Sequence, residues 1–195
     1  MSRLNSAILV AASILLVGCA HKIQITPPLE NIRNIAMPEP VSSNAGYYIS
    51  AENRSSAVIT PGGGGDSVTY APYKDTEAAL NTILSRNFRR VYSLPSMNDT
   101  AFISEKEISY IFTPLIQTNS SSTGIFTWPA TDFTFELTCT AVDTGGSEVW
   151  AKTVTGEGHA DYDEFMKDLG LSGRRAAEAA YLEMMQEISN AGIFK

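Results

Sequence analysis

The stretch from Thr131 to Thr155 constrains the fold of this 195-residue chain more than any other. Between Thr131 and Val142, apolar and polar residues alternate: Phe133, Phe135, Leu137, Cys139 and Ala141 fall on one face, Thr134, Glu136, Thr138 and Thr140 on the other. Successive side chains of a strand point to opposite sides, so this pattern predicts a strand with one face buried and one in water. Asp143-Thr144-Gly145-Gly146-Ser147 reads as a short hairpin loop, and Glu148 to Thr155 as the return strand. A connection this short requires antiparallel pairing. The buried face of such a hairpin needs a covering layer, and the chain must supply it.

Two helices are readable as that layer. In the last long segment Ser172 can serve as N-cap. Ala176, Ala180, Met184 and Ile188 form one stripe, joined by Ala177, Tyr181 and Met185, and Gly192 supplies a stop. Its alanines suit close packing on a sheet. The earlier helix can start at Asp75 or Thr76, with Glu77 near its positive end. Leu80, Ile83, Leu84 and Phe88 follow at helical spacing, and Arg89 and Arg90 close it. Further strands are expected at Ala45–Ser50, Val68–Tyr73, Val91–Leu94 and Glu107–Gln117, with Pro114 marking an edge or bulge in the last. The predicted fold is α+β: a largely antiparallel sheet of about four or five strands with two helices packed on one face.

The N-terminus carries a different kind of signal. Arg3 precedes an uncharged apolar run from Ala7 to Val17, too short for the about 20 residues that span a bilayer. It ends in Leu16-Val17-Gly18-Cys19, which resembles the bacterial lipoprotein signal. The resemblance implies cleavage between Gly18 and Cys19 and lipid attachment at Cys19. Ala20, where an aspartate would mark inner-membrane retention, points by the same resemblance to the periplasmic face of the outer membrane. The implied organisation is a signal peptide over 1–18, a lipidated N-terminus and tether over 19–44 (Pro27, Pro28, Pro38, Pro40), and a periplasmic domain over 45–195. More than one acyl chain makes such an anchor stable.

Composition narrows the partners. Arg3 is the only charged residue before Cys19, so a chain starting there has net charge −8. That argues against nucleic acid, which needs a basic patch. With Cys19 acylated, Cys139 is the only thiol left, and its place among Phe133, Phe135 and Leu137 predicts a buried small hydrophobe.

Candidate chemistry is sparse. The glycines at 62–65 are followed by Asp66, without the Lys-Ser/Thr of a phosphate loop, and read as a flexible loop. His159, Asp161, Asp163 and Glu164 could ligate a metal. The chain has only two histidines, however, and a solvated acidic loop is the better reading. No Gly-x-Ser-x-Gly is present. Neither catalytic residues nor a metal or cofactor is therefore expected.

Ile125, Phe126 and Trp128, set in the otherwise polar loop Asn119–Ala130, are the candidate partner contact, because aromatic residues are enriched at binding hot spots. Trp150 on the return strand could lie beside them. Together the lipobox, the prolines, the Thr131–Thr155 hairpin with Val149-Trp150 and the terminal helix resemble small outer-membrane lipoproteins of Gram-negative bacteria. The expectation is a non-enzymatic accessory or adaptor of the cell envelope, with an envelope protein as partner. The alternative is a small-ligand-binding lipoprotein, which would need a sizeable closed apolar pocket. An adaptor would instead have a filled core and an open strand edge or apolar patch.

Overall fold

The computed structural model describes residues 20–61, 67–121 and 131–194. In chain order the elements are β1 (Ala20–Lys22), α1 (Leu29–Asn34), β2 (Val41–Tyr47), α2 (Ala51–Ser55), β3 (Val58–Pro61), β4 (Ser67–Tyr70) and α3 (Pro72–Asn87). Then come β5 (Phe88–Ser93), α4 (Thr100–Glu105), β6 (Ile108–Ser121), β7 (Asp132–Asp143), β8 (Glu148–His159), α5 (Tyr162–Phe165) and α6 (Leu171–Asn190). One sheet has the order β5-β2-β6-β7-β8, and a smaller one the order β1-β4-β3. The α+β class holds, with α3 and α6 packed on each other and on the large sheet.

The pairing is more mixed than alternation suggests. β6, β7 and β8 form the expected antiparallel meander, with Leu137 opposite Ile116 on one side and Val154 on the other. β2, however, pairs parallel to both β5 and β6. The reason is the connections: α3 lies between β2 and β5, and α4 between β5 and β6. A helix that carries the chain back lets the next strand start from the same end. Beyond Phe112 β2 has ended, and Pro114, whose missing N–H is on that side, costs no ladder bond. The Tyr73 hydroxyl accepts the next free amide there, that of Ile116, at 3.1 Å.

The segment expected to be a tether is part of the packed body from its first residues. β1 lies parallel to β4, with Ala20 opposite Ser67, and Ile23, Ile25 and Ile32 are buried in the main core. The boundary expected at residue 45 therefore has no counterpart, and the prolines shape turns between short elements. α3 begins at Pro72, where a missing N–H is harmless, rather than at Asp75 or Thr76. Asp75 instead accepts the Ala71 and Ile25 amides at 3.4 Å each. Ser172, read as an N-cap, lies inside α6 and is buried, with Gly170 in the cap position.

The core lies between the large sheet and the two long helices. Phe112, Phe135, Leu137 and Cys139 from the sheet meet Leu80, Ile83, Leu84, Ala176, Ala180, Tyr181 and Met184 from the helices. Burial pushes the Cys139 thiol up to about 12, so it packs as a small hydrophobe and stays unreactive at neutral pH. Thr76 and Tyr181 share a hydrogen bond of 2.9 Å across the helix pair, and Asn87 donates to the Met185 carbonyl at 3.3 Å. Among the described residues the sheet's opposite face is covered near β5 and the start of β6, where Leu94, Ile103, Ile108 and Ile111 form a second small core. Further along it is mostly polar: the Thr138 and Thr153 hydroxyls meet at 2.7 Å, with Leu115 exposed opposite Thr138.

A single ion pair joins α2 to α3. Arg54 grips Glu77 with Nε at 3.0 Å and Nη2 at 2.9 Å, while its Nη1 donates to the Ile49 carbonyl at 2.7 Å. The guanidinium holds the Glu77 carboxyl below the usual carboxylate range. The contribution is present above the pKa of the unfolded chain and is lost as pH falls through the lower folded value. With side chains about a third exposed (34% and 27%), the pair is worth about 1 kcal/mol. Glu77→Gln is expected to lower stability by that amount in urea titrations at neutral pH. The difference from wild type should close as pH drops below the carboxylate range.

Candidate functional site

β8 occupies the edge of the large sheet over 12 residues, with β7 on one side and no strand on the other among the described residues. Backbone direction along it can be read from its end. Ala160 N donates to Thr131 O at 2.8 Å, so residue 160 faces β7, and with it 158, 156 and 154. The odd-numbered residues Thr153, Thr155, Glu157 and His159 point their N–H and C=O groups outward. The His159 carbonyl fits this, accepting from Arg175 Nη1 at 2.7 Å rather than from β7. Their side chains lie on the polar, exposed face. The result is an open ladder of peptide groups, the surface to which an added strand bonds.

The return strand is expected to end at Thr155, and the residues beyond include Gly156 and Gly158, poor strand formers. The structure continues it, and the glycines have a packing reason. A Cβ on Gly156 would stand 2.0 Å from the Ala176 carbonyl oxygen and 2.5 Å from Ala180 N. One on Gly158 would stand 2.0 Å from Ser172 O and 2.5 Å from Ala176 N. Helix α6 thus lies against the bare backbone of β8, which stiffens the edge from its inner face.

The end of this hairpin carries a polar network. His159 Nδ1 meets Asp132 Oδ1 at 2.6 Å, and its Nε2 lies 3.4 Å from Asp161 Oδ1. Asp161 caps α5 in a reciprocal box with Glu164. Arg175 on α6 donates to both Glu164 oxygens at 2.9 Å. Asp132 raises the His159 pKa, and Arg175 lowers that of Glu164 to about 2. Both ring nitrogens of His159 thus face carboxylates, Asp132 on one side and Asp161 on the other. Of the four residues read as possible metal ligands, His159, Asp161 and Glu164 serve here as links between β7, β8, α5 and α6. Among the described residues no group of three or more His, Cys, Asp or Glu side chains is placed to hold a metal.

The other sequence-selected residues divide sharply. Gly18 and Cys19, the glycines at 62–65, and Ile125, Phe126 and Trp128 lie outside the described residues. The flank Ser121 pairs with Asp132, so that segment leaves from the His159 end of the hairpin. Val149, expected in a core with Trp150, is exposed, because it falls on the solvated face. Trp150 packs on Phe112 and Phe194, with ring centroids 6.3 and 5.8 Å apart. Phe194 went unnoticed in the sequence: it follows the helix stop at Gly192, where no periodicity marks it. A cleft of about 150 Å³ beside it is lined by Arg86, Phe88, Ile188 and Ser189. Among the described residues no helix is long and apolar enough to cross a membrane.

No family model matches the chain, and no curated protein matches it. Solved structures do resemble it at low identity. PelC from Paraburkholderia phytofirmans, crystallised as a dodecamer, superposes with a TM-score of 0.48 at 15% identity, covering 80% of this chain and 95% of PelC. A Xanthomonas campestris protein of the family DUF330 gives 0.48 at 14% identity, covering 89% of this chain and 93% of that one. A minor lipoprotein from Acinetobacter baumannii gives 0.43 at 16% identity, over 78% of this chain and 95% of that one.

Proposed function

We propose that this chain is a bacterial envelope lipoprotein, cleaved after Gly18, acylated on Cys19 and held on the periplasmic face of the outer membrane. There it acts as a non-enzymatic adaptor for another envelope protein. The lipobox Leu16-Val17-Gly18-Cys19 supports the anchor. The observation that carries the adaptor reading is the open β8 edge, whose outward peptide groups at Thr153, Thr155 and Glu157 can take an extended strand of a partner. The filled interior between sheet and helices favours this over the capture of a small ligand, since Phe112, Phe135, Leu80, Ile83, Tyr181 and Met184 occupy that space.

Thr155→Pro tests the reading. Proline deletes an N–H that points away from β7, so the β7–β8 ladder survives and stability should change by no more than about 1 kcal/mol. Crosslinking in intact cells, followed by purification and mass spectrometry, should recover an envelope protein with the wild type and at least tenfold less with Thr155→Pro. Equal recovery with the proline variant would remove the β8 edge as the contact.

A further inference from the structure

The end of the domain from which β1 begins carries the three most exposed large apolar side chains among the described residues. Ala20, the residue after Cys19, is already in register with Ser67, and Ser67 with Pro61, so these three finish one end of the small sheet. The Ser120 hydroxyl donates to Thr60 Oγ1 at 3.1 Å, which places the far end of β6 beside them. Ser121 pairs with Asp132 and Asp132 with His159, so the His159 end of the hairpin belongs to the same pole. α5 starts three residues later.

Large apolar side chains stand in solvent here. Ile59 is 68% exposed, and Tyr162 and Met166 are each 56% exposed. Met166 N donates to Tyr162 O at 2.9 Å, so the two lie one helical turn apart on one side. Ile59, Thr69 and Lys22 form one cross-strand row on the outer face of the small sheet. Lys22 in turn shares a cleft with Lys167, the neighbour of Met166. The surface is therefore continuous from Ile59 through Lys22 and Lys167 to Met166 and Tyr162. Single exposed apolar residues are ordinary on any protein. Here the three most exposed, Ile59, Tyr162 and Met166, fall at the end where β1 begins, while the less exposed Leu115, Val149 and Ile193 lie elsewhere.

We infer that this pole rests on the lipid bilayer, with Tyr162 and Met166 at the boundary between headgroups and acyl chains and Lys22 and Lys167 against lipid phosphates. The inference rests on the acylation of Cys19 proposed above. With that anchor, one Cα–Cα step of about 3.8 Å separates the lipidated residue from β1, leaving no tether to lift the domain away. Tyrosine suits the membrane–water interface, with an apolar ring and a polar tip, and lysine stems can extend along apolar surface while the ammonium reaches phosphate. Asp161 and Asp163 flank Tyr162, so the contact depends on the anchor rather than on long-range attraction to anionic lipid. The hairpin then stands along the membrane normal. The end of β7 at Asp143, beside Thr144, is about 36 Å above the bilayer, eleven strand steps of roughly 3.3 Å from Asp132.

The test uses the full acylated protein in vesicles of phosphatidylethanolamine with a minor share of phosphatidylglycerol. Nitroxide labels are placed through Met166→Cys or Thr144→Cys; both native positions are exposed, and Cys139 is buried and will not take the label. The Met166 label should be several-fold less accessible to a water-soluble nickel chelate than the Thr144 label, and more accessible to oxygen. Equal accessibility, with acylation of Cys19 verified on the N-terminal peptide by mass spectrometry, would overturn the orientation alone. An unmodified N-terminal peptide would instead remove the lipoprotein reading, and the orientation with it.

Discussion

Gly156→Ala and Gly158→Ala are each expected to lower the stability of the domain by about 2–3 kcal/mol, read as a shift of the urea midpoint at unchanged slope. One methyl group has this effect because of what it meets. At both positions the new Cβ would lie 2.0 Å from a backbone oxygen of α6. A flexible side chain could rotate away from it, whereas a peptide carbonyl moves only with its helix. α6 is 20 residues long and buries Ala176, Ala177, Ala180, Tyr181, Met184 and Met185. Lifting it by the ångström or so required opens space along that whole face. The double variant should cost clearly less than the sum, since one displacement relieves both clashes. Losses below about 0.5 kcal/mol for both single variants would mean that α6 does not lie against β8 as described.

Phe194→Ala is expected to cost about 3 kcal/mol and to change the near-ultraviolet dichroism of Trp150. Phe194 is 8% exposed and lies four residues beyond the end of the last helix. Its ring centroid is 5.3 Å from Phe88, 5.0 Å from Tyr110, 5.4 Å from Phe112 and 5.8 Å from Trp150. Tilted and edge-on contacts of this kind add to simple burial. Removing the ring leaves a gap bounded by four aromatic groups that are themselves held by the sheet, so little can close it. Gly192, at a φ of +68°, turns the chain so that Phe194 can reach this place. An unchanged midpoint for Phe194→Ala would show that the tail does not seal the core.

The parts legible in the sequence are those whose physics is local. β7 is visible because Phe133 to Ala141 alternate without a break, and α6 because Ala176 to Ile188 keep one helical stripe. The N-terminal segment is not legible for the opposite reason: its patterns are too short, Ile23 and Ile25 alternating over three residues and Leu29 and Ile32 spanning one helical turn between prolines. β2 is legible in its second half, within the strand expected at Ala45–Ser50, while its first residues, Val41-Ser42-Ser43, are poor on propensity and are held by pairing with β5. For the candidate sites the division is similar. Leu16 to Cys19 form a contiguous motif, readable without any fold. That β8 is an edge follows only from strand order, and that Tyr162 and Met166 share a pole with Ala20 follows only from the register of both sheets.

The position of β2 also dictates when the molecule can become whole. A strand from the first quarter of the chain lies between β5 and β6, which are synthesised later, so the sheet cannot close until Phe112 has been delivered. The β6–β7–β8 meander and α6 make mostly contacts near in sequence, and such contacts form faster than distant ones. β2 is thus left without its second neighbour until β6 has been made. In the export proposed above, the chain would travel unfolded with Ile23, Ile25 and Ile32 uncovered, which is the form that holding chaperones engage.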